Sequence, residues 1–224
     1  MNPSELTGQA QTHTVPILQP ACTLHRYAAA PFMNLRRAAL AEGFDLRPVS
    51  SFRDFQHQLS IWNAKFAGER PLYDAAGSVL DALRLPPPER VEAILRWSAL
   101  PGASRHHWGT DLDLFDANAI APGYRVQLSA AEFLPPGPFA RLADWLETHA
   151  ARFGFFRPYR GVLSGVQAEP WHYSFAPLAE GARRSLSPSI LQAALSTAPL
   201  LGKAFVMDRL EEWHSRYVAA IDWP

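Results

Sequence analysis

Hydrophobic and polar positions along the chain follow two periods, one helical and one extended. Residues 33–42 (MNLRRAALAE) carry apolar groups at helical spacing and stop at Gly43, a C-cap signal, which predicts a helix. Phe44 to Ser51 alternates weakly and runs into Phe52–Leu59, predicting a short strand and then a helix to about Phe66, with Arg53 at the junction. Gly68, Gly77 and Pro86-Pro87-Pro88 predict an irregular or partly helical excursion over 67–88. A helix from Glu89 to about Leu100 follows, closed by Pro101-Gly102. Gly109 reverses the chain, and Thr110–Phe115 alternates as a strand, with Leu112 and Leu114 on one face and Asp111, Asp113 and Phe115 on the other. Pro122-Gly123 and Pro135-Pro136-Gly137 mark a long loop over 117–137, after which Phe139, Leu142, Ala143, Trp145 and Leu146 predict a helix ending near Gly154. From Phe155 the chain reads as extended. Pro170 biases Glu169 away from helix and sets it at a strand entrance, with His172 and Ser174 opposite Trp171, Tyr173 and Phe175. Beyond Pro177 the pattern is helical. The fold class is α+β: a small antiparallel sheet surrounded by helices.

Composition narrows the function classes. With 224 residues and 48% hydrophobic content, the chain buries a substantial core. Twenty-one basic and 21 acidic side chains cancel and no basic run stands out, which excludes a nucleic-acid binder and points to a small or neutral partner. Cys22 is the single cysteine, so neither an internal disulfide nor a sulfur-rich metal site is expected. The first twenty residues lack the basic start and the apolar run of a secretory signal, and the chain as written reads as cytoplasmic, with periplasmic or exported placement left open. Ile190–Phe205, the longest apolar-leaning stretch, is interrupted by Gln192, Ser196, Pro199 and Lys203, so no membrane span is expected.

The candidate chemistry sits in Ser104-Arg105-His106-His107-Trp108-Gly109-Thr110-Asp111-Leu112-Asp113 and in Glu169-Pro170-Trp171-His172. Together they supply two imidazoles, a carboxylate ligand and a spare acid. A catalytic zinc takes three protein ligands and keeps a position for water, and a nearby carboxylate not spent on the metal deprotonates that water. His106, Asp113 and His172 are therefore the candidate ligands and Glu169 the candidate base. The seven-residue gap from His106 to Asp113 does not suit one strand, but a reversal at Gly109 lets the two side chains meet, with His172 arriving from a neighbouring strand. Each residue alone has an ordinary structural explanation; the joint placement carries the reading. His107 is a second candidate beside His106, read as an exposed or outer residue. Asp111 and Asp116 either orient ligands or are solvated loop acids. Arg53 is either a solvated charge or a fork for a substrate carboxylate. His13, His25, His57, His149 and His214 show no partner pattern.

These residues resemble the zinc D-alanyl-D-alanine carboxypeptidases of the VanY type, in the wider group that contains lysostaphin-like peptidases and the hedgehog signalling domain. Ser104, His106, Gly109 and Asp113 match the signature S-x-H-x-x-G-x-x-x-D, and Glu169, Trp171 and His172 match E-x-W-H. Ser50, Arg53 and Gln58 match an upstream S-x-x-R-x-x-x-x-Q, and Phe153-Gly154-Phe155 and Gly165-Val166 are also similar. The resemblance implies a zinc site of His106, Asp113 and His172, a catalytic base at Glu169, and substrate binding by Arg53, Ser104 and Gln58. It implies hydrolysis of the C-terminal peptide bond of a peptidoglycan-type peptide with a free carboxylate. The alternatives are an L,D-carboxypeptidase or endopeptidase of the same group, or a non-catalytic zinc-stabilised binding module, against which the presence of Glu169 weighs. Two departures stand out: Asp111 where the family commonly has Ala, and Asp54 where it often has Ser, so that an anion adjoins Arg53. The expected division is an irregular N-terminal segment (1–32), a zinc carboxypeptidase-like catalytic domain (33–176) and a C-terminal helical extension (177–224).

Overall fold

The computed structural model describes residues 1–223. Strands β1 (Thr14–Leu18) and β2 (Ala21–His25) pair as a hairpin. Strands β3 (Leu46–Ser50), β6 (Asp111–Asp116), β7 (Phe155–Phe156) and β8 (His172–Phe175) form one antiparallel sheet in the order β3-β6-β8-β7, and the short β4 (Leu72–Tyr73) and β5 (Val79–Leu80) pair separately. Helices α1 (Pro3–Leu6), α2 (Arg26–Ala41), α3 (Phe55–Phe66), α4 (Pro87–Leu95), α5 (Ala130–Phe133) and α6 (Ala140–His149) interleave with the strands. Four more follow the last strand: α7 (Ala176–Ser185), α8 (Pro188–Ser196), α9 (Lys203–Asp208) and α10 (Leu210–His214). The fold is α+β with small antiparallel sheets.

Alternation along β6 and β8 separates packing from chemistry. Leu112, Leu114, Tyr173 and Phe175 are buried against Phe32 and Leu35 of α2 and Leu142 and Leu146 of α6. Burying each such leucine contributes roughly 1.5–3 kcal/mol. The intervening Asp111, Asp113, His172 and Ser174 take the opposite face. A second core of Trp62, Ile94, Leu191, Leu195 and Trp213 lies in the helices α3, α4, α8 and α10.

Several boundaries differ from the sequence pattern. The N-terminal segment is not irregular: α1 opens with a capping box between Asn2 and Glu5, and the β1–β2 hairpin follows. Helix α2 begins at Arg26, where the His25 ring accepts from the Tyr27 N–H at 3.2 Å. Ala28, Phe32, Leu35 and Ala39 bury one stripe of this helix, and that packing carries it across Pro31. Helix α4 starts at Pro87, where a missing N–H is harmless, and stops at Leu95. The carbonyls beyond it serve other partners: Arg96 accepts from the Gln167 N–H and Ala99 from the Gln58 amide. The loop over 117–137 holds the short α5. The expected C-terminal helices are present, but they share the core of α3 and α4, since Trp213, Tyr217 and Ile221 pack with Trp62 and Trp108.

Candidate active site

Gly109 makes the site possible. It ends the 3-10 helix Arg105–Trp108 with φ of 66°, and a Cβ there would stand 2.6 Å from the backbone nitrogen of His25. Only glycine fits that left-handed, crowded position. The chain then turns into β6, where Asp113 pairs with His172 and Asp111 with Ser174 of β8. The reversal and the neighbouring strand inferred from the sequence are both present.

His106, Asp113 and His172 converge, each offering a ligand atom within 4.8 Å of the others. His106 Nδ1 lies 2.9 Å from the Ser51 carbonyl, which fixes the proton there and leaves Nε2 facing Asp113 Oδ2 at 3.3 Å. His172 Nε2 lies 3.0 Å from Asp111 Oδ1, and its Nδ1 stands 3.3 Å from Asp113 Oδ1 and 3.0 Å from Glu169 Oε2. Asp113 Oδ1 is buried yet accepts no hydrogen bond, although His172 Nδ1 is close. A buried, unpartnered carboxylate oxygen among two imidazoles is a polar atom that a cation would satisfy. Burial opposes a charge on His172, but Asp111, Glu169 and Asp113 outweigh it and raise the imidazole pKa to about 10. Three carboxylates thus call for positive charge at this point, and a two-imidazole, one-carboxylate donor set fits zinc.

Asp111 belongs to the support of this site. Its side chain is fully buried, and its carboxylate accepts from Arg105 Nε at 2.8 Å, Thr110 Oγ1 at 2.5 Å and Ser174 Oγ at 3.0 Å. Burial would raise its pKa, but Arg105, His172 and Thr110 hold it well below the usual carboxylate range. Arg105 also stacks 4.8 Å from the Trp108 ring centre. His107 is buried rather than exposed. Its Nδ1 donates to the Arg53 carbonyl at 2.6 Å, its Nε2 accepts from the Gly102 N–H at 3.1 Å, and burial pushes its pKa down to about 3. It is a neutral strut behind Arg53, outside the cluster of His106, Asp113 and His172. Asp116 caps the turn after β6 by accepting from the Asn118 N–H and holds the Asp45 N–H, away from the site.

His106, Asp113, His172 and Glu169 line a cavity of about 380 Å3 together with Arg53 and Ser104. Arg53 donates from Nη1 to Gln58 Oε1 at 2.8 Å and from Nη2 to Ser50 Oγ at 2.7 Å. Gln58 is fully buried behind it and donates in turn to the Ala99 carbonyl at 2.7 Å. The Ser50, Arg53, Gln58 pattern therefore describes one arginine and its two holders. Asp54 does not compete for the fork; it caps α3 by accepting from the His57 N–H at 2.7 Å. Ser104 sits at the start of the 3-10 helix without capping it. Sequence reasoning missed Lys65 and Arg70, which line the same cavity, and Tyr159, whose ring meets His172 edge-on at 5.0 Å. For Lys65 the signal was its helical spacing from Gln58 and Ile61 along α3.

The family model for VanY, described as D-alanyl-D-alanine carboxypeptidase, matches residues 21–178. The chain belongs to the VanY family. A Haemophilus influenzae protein described as uncharacterized is 37% identical over 121 residues, covering 53% of this chain and 92% of its own. A D-alanyl-D-alanine carboxypeptidase of Enterococcus faecalis is 28% identical over 151 residues, covering 65% of this chain and 46% of that protein. The structure of VanYB in complex with D-alanine-D-alanine shares the fold at a TM-score of 0.53 and 23% identity, over 84% of this chain and 91% of that one. So does the vancomycin-resistance D,D-pentapeptidase VanY from the VanB-type cassette in complex with Zn(II), at a TM-score of 0.52 and 21% identity, over 88% of this chain and 91% of that one. VanY membership makes this protein a carboxypeptidase-family enzyme.

Proposed function

We propose that the protein is a zinc-dependent D-alanyl-D-alanine carboxypeptidase that hydrolyses the C-terminal peptide bond of peptidoglycan-type peptides. The observation that carries this reading is the meeting of His106, His172 and Asp113 beside Glu169 in a cavity that also holds Arg53. His106 through Nε2, His172 through Nδ1 and Asp113 through its carboxylate would hold the metal. Bound zinc supplies an acidified water and polarises the scissile carbonyl.

The rest of the chemistry falls to the chain's own groups. Arg53, held by Ser50 and Gln58, presents its remaining N–H donors to the terminal carboxylate of the peptide. Ser104, which lines the same cavity, would help hold the terminal carboxylate or the scissile carbonyl. Glu169 takes a proton from the attacking water and returns it to the leaving amine, a role that contributes typically ~100 to 10,000-fold. Asp111 and the Ser51 carbonyl keep the two imidazoles in the tautomers that face the metal. Glu169 favours a catalyst over a zinc-stabilised binding module, since a module has no use for a base beside its metal.

The test is release of D-alanine from synthetic peptides ending in D-Ala-D-Ala, with the terminus free or amidated, alongside a peptide ending in an L,D bond. A D,D-carboxypeptidase cleaves the free D,D peptide and loses activity on amidation. Equal cleavage of the amidated peptide contradicts the assignment and indicates an endopeptidase.

A further inference from the structure

Past residue 178, where the family match ends, the chain returns to the active site through its C-terminal segment. Asp222 is buried there. Its carboxylate accepts from the backbone N–H of Arg160 at 2.7 Å and of Leu163 at 3.0 Å, and its own N–H donates to the Pro158 carbonyl at 3.0 Å. Both neighbours of Tyr159 are thus tied to one residue 62 positions downstream of Arg160. The Tyr159 carbonyl accepts the Glu169 N–H at 3.0 Å, and its ring meets His172 edge-on.

A second tie runs from the same C-terminal segment. The Gly165 N–H donates to the Arg216 carbonyl at 2.9 Å, and a Cβ at Gly165 would stand 2.6 Å from the Tyr217 ring. Tyr217 and Val218 themselves line the cavity. Residues 157–169 contain no helix or strand, so their path is set by such external bonds. Hydrogen bonds to an ionised acceptor are about twice as strong as neutral ones, which suits a carboxylate to this task.

We propose that Asp222 is a positioning residue for the reaction: by holding the main chain on both sides of Tyr159, it fixes Glu169 and the face of His172. The proposal rests on the reading of Glu169 as the base. Loss of the clamp displaces the base relative to the substrate, and misplacement by an ångström costs on the order of 100-fold. A purely structural residue, when removed, lowers the melting temperature and zinc content along with activity. A positioning residue lowers kcat while zinc stays bound and KM holds.

The experiment compares wild type, Asp222→Ala and the near-isosteric Asp222→Asn. It measures kcat and KM on a peptide ending in D-Ala-D-Ala, bound zinc, and amide hydrogen exchange over 158–169. The expected result for Asp222→Ala is a loss of about 10- to 100-fold in kcat, with KM within about 3-fold, one equivalent of zinc, and faster exchange over 158–169. Asp222→Asn, which keeps one acceptor oxygen, falls between; if the alanine variant does not fold, the asparagine variant decides. Wild-type kcat, or unchanged exchange over 158–169, overturns the proposal. Should wild type release no D-alanine, the D-alanyl-D-alanine carboxypeptidase reading fails, and the exchange arm still decides whether Asp222 orders this segment.

Discussion

The Nε2 atom of His172 lies 3.0 Å from Oδ1 of Asp111, on the edge of the ring opposite Asp113 and Glu169. This contact fixes which nitrogen of His172 faces Asp113 and Glu169. Replacing Asp111 by Asn removes the charge that orients His172 and pairs with Arg105. Zinc affinity is expected to fall about 10- to 100-fold, the usual effect of losing such an outer partner. Competition with a chromophoric chelator measures it, and wild-type affinity in the variant contradicts the role.

Arg53 reaches the cavity with two of its donors already committed to Ser50 and Gln58. Gln58→Ala leaves the guanidinium free to change direction. Hydrogen bonds to charged groups contribute about 1.5–3 kcal/mol, so KM for a peptide with a free terminus should rise by roughly tenfold or more while kcat changes little. Steady-state kinetics on the free and amidated peptides checks this. A variant with wild-type KM would mean that Arg53 needs no holder.

Lys65 gives the site a pH signature. Burial pushes its pKa down to about 8, with Glu169 opposing the shift and Arg70 and Arg53 adding to it. The ammonium is therefore charged below pH 8 and neutral above it, well before an exposed lysine would titrate. If this cation attracts the anionic peptide, KM rises as pH passes through 8. Lys65→Met should show a raised KM at pH 7 and no further rise up to pH 9. The same inflection in the variant would assign it to another group.

The strongest sequence signals concern local geometry. Alternation over Thr110–Phe115 put Leu112 and Leu114 in the core and Asp111 and Asp113 in the site because the period of a strand is two and its two faces differ in polarity. The His106–Gly109–Asp113 reversal was legible because a glycine in the left-handed region has few substitutes. What depended on tertiary packing stayed hidden. Asp54 adjoins Arg53 in sequence, yet its carboxylate is used at the start of α3. Helix α2 crosses Pro31 because four buried residues stabilise it. Tyr159 and Asp222 acquire roles only through a loop whose path no local pattern specifies.

Gly109 tests the reversal itself. Gly109→Ala places a side chain in a left-handed backbone and against the His25 nitrogen. The backbone term alone costs about 1–2 kcal/mol, so the variant should melt at a lower temperature and bind zinc more weakly. Calorimetry with and without added zinc measures both. Unchanged melting would show that the turn has room to relax.

If Glu169 acts on a water activated by zinc held by His106, Asp113 and His172, Glu169→Ala stops hydrolysis without releasing the metal. The variant and wild type are purified, their zinc measured by elemental analysis, and D-alanine release followed with and without a chelator. The expected result is one equivalent of zinc in both proteins, chelator-sensitive release by wild type, and a rate in the variant lower by about 100- to 10,000-fold. Near-normal hydrolysis by Glu169→Ala, or release by wild type that survives complete removal of zinc, would contradict it.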